Sequence, residues 1–116
     1  MHVGSIVIDC REFDRMSEFW RSVLRYVPRE APTSGWVVLA DPSGLGPNIS
    51  LNRVADDLPV GSRLHLDLYT EDQAGEVARL RGLGARLHRT PEPGEDFVVL
   101  ADPDGNLFCV VDKSGA

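Results

Sequence analysis

Val37-Val38-Leu39-Ala40-Asp41-Pro42 recurs letter for letter as Val98-Val99-Leu100-Ala101-Asp102-Pro103. An aromatic residue precedes each copy (Trp36, Phe97) and a glycine follows it (Gly44, Gly105). The copies begin at positions 37 and 98 of a 116-residue chain, about half its length apart. Self-similarity at that period means that one supersecondary unit has been used twice. Each copy is an apolar strand that ends in Asp-Pro, where proline presets φ and the glycine accepts positive φ, so each strand turns back at once.

Working outward from the first copy, Asn48 to Val54 reads as the returning strand and Val3 to Cys10 as an earlier one with a single apolar face. Between them Phe13, Met16, Phe19, Trp20, Val23 and Leu24 fall at helical spacing, with Asp14 as the expected N-cap. Pro28, Pro32 and Thr33-Ser34-Gly35 break the chain before Trp36. Around the second copy the order repeats. A strand spans Arg63 to Tyr69, and Thr70 with Gln73 can close a capping box on a helix carrying Val77, Leu80 and Leu83 that ends at Gly84. A short strand from Ala85 to Arg89 and the hairpin Phe97–Ala101 with Leu107–Val111 complete the copy. The reading is therefore module 1 at 3–54, a linker at 55–62 and module 2 at 63–112, within one domain over 1–116.

The chain's net charge of −6 and its single lysine, Lys113, argue against sequence-independent binding to nucleic acid, which needs a basic patch. No apolar run reaches membrane-spanning length, and Met1-His2-Val3-Gly4 does not resemble a signal peptide, so a cytoplasmic protein is expected. Cys10 and Cys109 form no CxxC pair; reduced, buried thiols are expected rather than a disulfide or a structural zinc site. Neither a Gly-rich phosphate cradle nor a serine nucleophile elbow is present.

The twice-used strand-helix-strands unit, the aromatic pair Phe19-Trp20, Leu83-Gly84 closing a helix and Asp102-Pro103-Asp104-Gly105-Asn106 before the last strand together resemble the glyoxalase/bleomycin-resistance, or vicinal-oxygen-chelate, superfamily. Arg63-Leu64-His65-Leu66-Asp67-Leu68 followed by a helix resembles its compact bacterial glyoxalase-like branch. The resemblance spans residues 3 to 112. It implies an α+β fold of two tandem βαβββ modules forming one cup-shaped mixed sheet, with helices outside and a small organic molecule in the cleft. It also implies metal ligands, in the members that use metal, from the first and last strand of each module. Those positions here are Ser5 and His65, then Cys109 and either Ser50 or Asn52, where Leu45-Gly46-Pro47-Asn48 blurs the register. Metal-using members place His, Glu or Gln at these positions. Serine and asparagine are poor ligands for divalent ions, so no cofactor is expected, with His65 and Cys109 the candidates should a metal be held.

His65 and Asp67 project from the same face of one strand. A carboxylate beside a histidine orients it and raises its basicity, as a general base requires. Three readings stay open for the pair: a structural or passive ligand contact, acid–base catalysis, or metal ligation. His65-Leu66-Asp67 with His88 also spells a two-histidine, one-carboxylate iron site, against which an ordinary surface histidine is the plain alternative. Cys109, flanked by apolar residues, is either an inert thiol or a nucleophile. Trp36 and Phe97 either pack the core or line the cleft wall alongside Ser5, Ser50, Asn52 and Cys109. Two functions follow from the resemblance. One is a lyase or isomerase type enzyme with His65 as base and Asp67 as its partner; the other is a non-catalytic protein that sequesters a drug or metabolite. The resemblance also makes a homodimer an expectation.

Overall fold

The structure is a computed structural model that describes residues 1–55 and 64–115. Arg63 and the expected linker, apart from Ala55, lie outside the described residues. The elements run β1 (His2–Cys10), α1 (Phe13–Leu24), β2 (Val27–Pro28), β3 (Trp36–Ala40), β4 (Asn48–Arg53), β5 (Leu64–Thr70), α2 (Gln73–Gly82), β6 (Arg86–Arg89), β7 (Phe97–Ala101) and β8 (Leu107–Asp112). The fold is α+β, and the chain divides into two compact units. The first comprises Ser5–Leu64, and the second comprises Met1–Gly4 with His65–Ala116.

In the first unit the strands lie in the order β2-β3-β4-β1, with β1 parallel to β4 and the hairpin partners antiparallel. In the second the order is β5-β8-β7-β6, again with the first strand parallel to the last. Both units are thus βαβββ with the same strand order, as the repeated hexapeptide predicts. Only the two-residue β2 escapes the sequence reading. It pairs with β3 through Val27↔Ala40 and Pro28↔Leu39, an edge position where proline is tolerated because no inner ladder needs its missing N–H.

Alternation along the strands sorts each sheet into two faces. In the first unit Cys10, Val37, Leu39, Ile49 and Leu51 form the buried core, and Ile6, Ile8, Phe13, Met16, Trp20 and Tyr26 pack onto it. Helix α1 lies over this face through Phe13, Met16 and Trp20, whereas Phe19 and Val23 remain more than half exposed, so the apolar stripe is wider than the surface it covers. In the second unit α2 packs on β8, and Leu100 and Val110 are fully buried. Leu83, expected on the stripe of α2, stands exposed one residue past its last turn.

Local chemistry sets the element ends, with two departures from expectation. Helix α1 starts at Phe13 behind Glu12, which caps nothing with its side chain, so Asp14 lies inside the first turn rather than at the N-cap. Helix α2 is capped by Asp72, whose carboxylate accepts from Gly75 N–H at 3.1 Å. Thr70 Oγ1 accepts from Asp72 N–H, and Gln73 donates across to the carbonyls of Asp96 and Val110 in place of a capping box. The two Asp-Pro turns, by contrast, behave alike. Asp41 accepts from the Ser43, Leu45 and Gly46 amides, and Asp102 from those of Asp104 and Asn106. Gly44 and Gly105 take φ of +73° and +91°, the left-handed values the turns require.

Candidate functional site

The register of the two units identifies equivalent positions. Val38 and its repeat Val99 face Ser50 and Cys109 across the hairpins, and Val7 and Asp67 face the same two residues across the parallel pairs. Ser50, not Asn52, is therefore the counterpart of Cys109, and one step along each first strand Ser5 is the counterpart of His65. Val7 occupies the place of Asp67.

What stands at these positions differs sharply. In the first unit Ser5 Oγ and Ser50 Oγ are hydrogen-bonded to each other at 2.6 Å, and both residues are inaccessible to solvent. Each hydroxyl satisfies the other, which is how a buried polar pair avoids the cost of desolvation. Asn52 turns to Asp9, donating from Nδ2 to Oδ1 at 3.2 Å. Trp36, opposite Asn52, lies on the sheet face away from α1 and is about one-third exposed.

In the second unit His65, Asp67 and Cys109 offer one nitrogen, one oxygen and one sulfur atom, all within 4.8 Å of one another. His65 Nε2 stands 3.6 Å from Asp67 Oδ1, an ion-pair distance beyond hydrogen-bond length. The side chains are 23% and 16% exposed, so the pair is largely desolvated yet reachable. Burial pushes the Asp67 carboxyl above its usual range, opposed first by His65 and then by hydrogen bonding from Cys109; Asp96 adds to the rise and Lys113 opposes it. Burial and the neighbouring Asp67 push the Cys109 thiol up to about 12. Cys109 thus keeps its proton, which excludes it as a resting thiolate nucleophile.

Sequence reasoning missed the groups that surround this trio. Arg89 pairs with Val99 in the ladder, which places Asp67, Cys109, Val99 and Arg89 in one row across the same sheet face. Its guanidinium holds Glu95 through two hydrogen bonds, the shorter 2.6 Å, and sits 5.4 Å over the Phe97 ring. Phe97 therefore lies on the face of the trio, not in the helix-side core. At the other side Tyr69, two residues beyond Asp67, carries Lys113 Nζ 4.4 Å above its ring and the edge of His2 against it. The alternation His65-Asp67-Tyr69 is the sequence signal that points to this ring. His88 is exposed on β6 and does not join the trio, so the two-histidine, one-carboxylate arrangement is not formed. Cys10 and Cys109 are both free thiols.

The glyoxalase-like domain family matches residues 5–111. The chain belongs to that family. Its register-defined positions can now be compared with the ligand positions the resemblance implies. Two of the four in this glyoxalase-like domain are serines spent on each other, so the donor set does not fit a metal gripped by both modules. No curated protein matches the chain. Among solved structures, methylmalonyl-CoA epimerase from Streptomyces coelicolor in complex with 2-nitronate-propionyl-CoA is similar at 20% identity and TM-score 0.71, covering 99% of each chain. The same enzyme from Mycobacterium tuberculosis is similar at 19% identity and TM-score 0.71, over 96% of this chain and 87% of that one. A glyoxalase/bleomycin resistance protein/dioxygenase superfamily member from Vibrio splendidus 12B01 is similar at 16% identity and TM-score 0.67, over 94% and 97%. At these identities the likeness is one of fold. Among the described residues no helix is long and apolar enough to cross a membrane.

Proposed function

We propose that this glyoxalase-like domain binds a small organic molecule against the His65–Asp67–Cys109 face of its second unit and moves a proton on it, as an isomerase or lyase does. One observation carries the reading. Of two units with the same topology, one holds a sealed serine pair and a valine, and the other places an imidazole, a carboxylate and a proton-bearing thiol at the same three positions, within 4.8 Å of one another.

The chemistry follows from the geometry. Neutral His65 takes a proton from a carbon or oxygen acid of the ligand, and the imidazolium that results lies 3.6 Å from the Asp67 carboxylate, which stabilises it. Returning that proton to a different ligand atom completes an isomerisation with atoms and charge balanced. Cys109, protonated, hydrogen-bonds to Asp67 and helps hold it as an anion despite burial. No step requires a metal. Methylmalonyl-CoA, after which the epimerases of the same fold are named, is a carbon acid of the appropriate kind, so acyl-coenzyme A thioesters belong in the first screen.

The test is a thermal-shift screen of the EDTA-treated protein against acyl thioesters, 2-oxo acids and 2-hydroxy acids, with wild type and His65→Ala in parallel. Wild-type stabilisation that the variant loses supports the reading, and ligands acting equally on both overturn it. A non-catalytic binder is the second reading, favoured by the apolar or sealed residues of the first unit. It predicts His65-dependent stabilisation with no proton exchange into the ligand.

A further inference from the structure

The sheet face that carries His65 and Asp67 extends past the trio. Alternation puts Tyr69 after them on β5, and Val111 and Lys113 after Cys109 on β8, with Tyr69 directly opposite Val111. Lys113 N–H donates to the Thr70 carbonyl at 2.8 Å, which carries the pairing of these strands one residue beyond β8. The lysine's Nζ stands 4.4 Å above the Tyr69 ring. That ring is held in turn, because it lies so close to Gly4 that no Cβ fits there, and the His2 ring meets it in a T-shaped contact. The chain's only lysine therefore has a defined seat. Of the two cations on this face, Arg89 is committed to Glu95 at 2.6 Å, with Glu92 at 3.9 Å, whereas Lys113 makes no salt bridge among the described residues. The adjacent carboxylate, Asp112, is taken up by the N–H and hydroxyl of Ser114. The field of Lys113 reaches the trio, since it favours the charged form of Asp67.

We infer that Lys113 sets the specificity of this site: its ammonium anchors a carboxylate of the ligand, so the molecule presented to His65 is a carbon acid that carries a separate anionic group. The placing of the reacting carbon rests on the proton-transfer reading above; the anchor itself does not. An ammonium has three donors, and the Tyr69 ring takes up only one side of it, which leaves N–H groups for a ligand oxygen. The sheet sets the spacing. Alternate strand residues are about 6.6–7 Å apart. His65 Nε2 leans to 3.6 Å from Asp67 Oδ1, and Lys113 Nζ stands over the ring one such step further on, so the two nitrogens are roughly 7–10 Å apart. With contacts of about 3 Å at each end, the remaining span suits a carboxylate about three or four bonds from the acidic carbon.

The experiment measures, by titration calorimetry on the full chain, the binding of N-acetylcysteamine thioesters in matched pairs: neutral pentanoyl against glutaryl, and neutral hexanoyl against adipyl. The charged members carry a carboxylate three and four bonds from the acidic carbon. Wild type is expected to bind at least one charged thioester roughly 10–100-fold more tightly than its neutral partner, the worth of a charge-assisted hydrogen bond. Lys113→Met keeps the stem, removes the charge and should erase the preference while leaving the neutral affinities within about twofold; Lys113→Arg should retain it. A lysine with only a structural role would move both members of a pair together. Deuterium exchange into the same thioesters, with and without His65, judges the proton-transfer reading separately. A Lys113-dependent preference without exchange leaves the anchor standing and removes that reading, and exchange without a preference does the reverse. The inference is overturned by no preference in wild type, by a preference that survives in Lys113→Met, or by a loss in Lys113→Met that is equal for neutral and charged thioesters.

Discussion

Alkylation of Cys109 tests directly whether the trio is desolvated and coupled as described. Burial and Asp67 raise this thiol to about 12 from the 9.0 of an unperturbed cysteine. At pH 8 the thiolate fraction is then about 10⁻⁴ in the folded protein against about 10⁻¹ in the unfolded chain, a factor of about 1,000. A more basic thiolate is a better nucleophile, which returns about 20-fold over three pKa units at a Brønsted slope of about 0.45. The net expectation is that native Cys109 reacts with iodoacetamide about 50-fold more slowly than the same residue in urea, or slower where access is limiting. The assay is a timed iodoacetamide pulse in EDTA, followed by mass spectrometry of the peptide containing Cys109, from pH 7 to pH 10. The native rate should rise about tenfold per pH unit across this whole range, whereas the unfolded rate bends over near pH 9. Asp67→Asn removes the carboxylate and should accelerate native alkylation, while burial, the larger cause, keeps it slower than the unfolded chain. Native alkylation within a few-fold of the unfolded rate at pH 8, or a native plateau near pH 9, would refute the reasoning.

Other predictions rest on particular contacts. A Cβ at Gly4 would clash with the Tyr69 ring, so Gly4→Ala should destabilise the protein by about 1–3 kcal/mol, with part of the loss recovered in Gly4→Ala/Tyr69→Leu; additive losses in denaturant melts would show that the two do not touch. Leu51, fully buried in the first unit's core, should cost about 2–5 kcal/mol when cut to alanine, a value chemical denaturation can check. Hydrogen bonds from Asn106 hold the Asp102 carboxyl below its ordinary 3.8. A depressed folded pKa gives stability that is present above 3.8 and lost as pH falls through the lower folded value, so Asp102→Asn should shrink the fall in Tm between pH 5 and pH 2.5. An unchanged fall would place the acid sensitivity elsewhere.

Much of this architecture is legible from the repeated hexapeptide, because it marks an internal duplication and each copy carries its own turn chemistry in Asp41 and Asp102. His65 and Asp67 were recognisable from strand alternation, and Cys109 from the apolar residues on either side of it. The choice between Ser50 and Asn52 was not, because the extra residues around Leu45–Asn48 shift the count, and only the ladder register resolves it. Arg89 was hidden for a similar reason. The pairing of β6 with β7 slips between Leu87 and Arg89, and that irregularity determines which side chain joins the Cys109 face. The start of α2 falls later than a Thr70–Gln73 box implies, because Asp72 caps the helix and Gln73 reaches the Val110 carbonyl instead, and α1 starts ahead of Asp14 with no side-chain cap at all.

The central claim is that His65 moves a proton on a bound small molecule, and solvent hydrogen exchange tests it most directly. A ligand that stabilises the EDTA-treated protein is incubated with it in D₂O, and deuterium entering the ligand is followed by NMR for wild type, His65→Ala and Asp67→Asn. The account predicts exchange at one ligand position that falls at least about 100-fold in His65→Ala, in keeping with the usual worth of a general base, and by less in Asp67→Asn. Exchange that continues undiminished without His65 would contradict it.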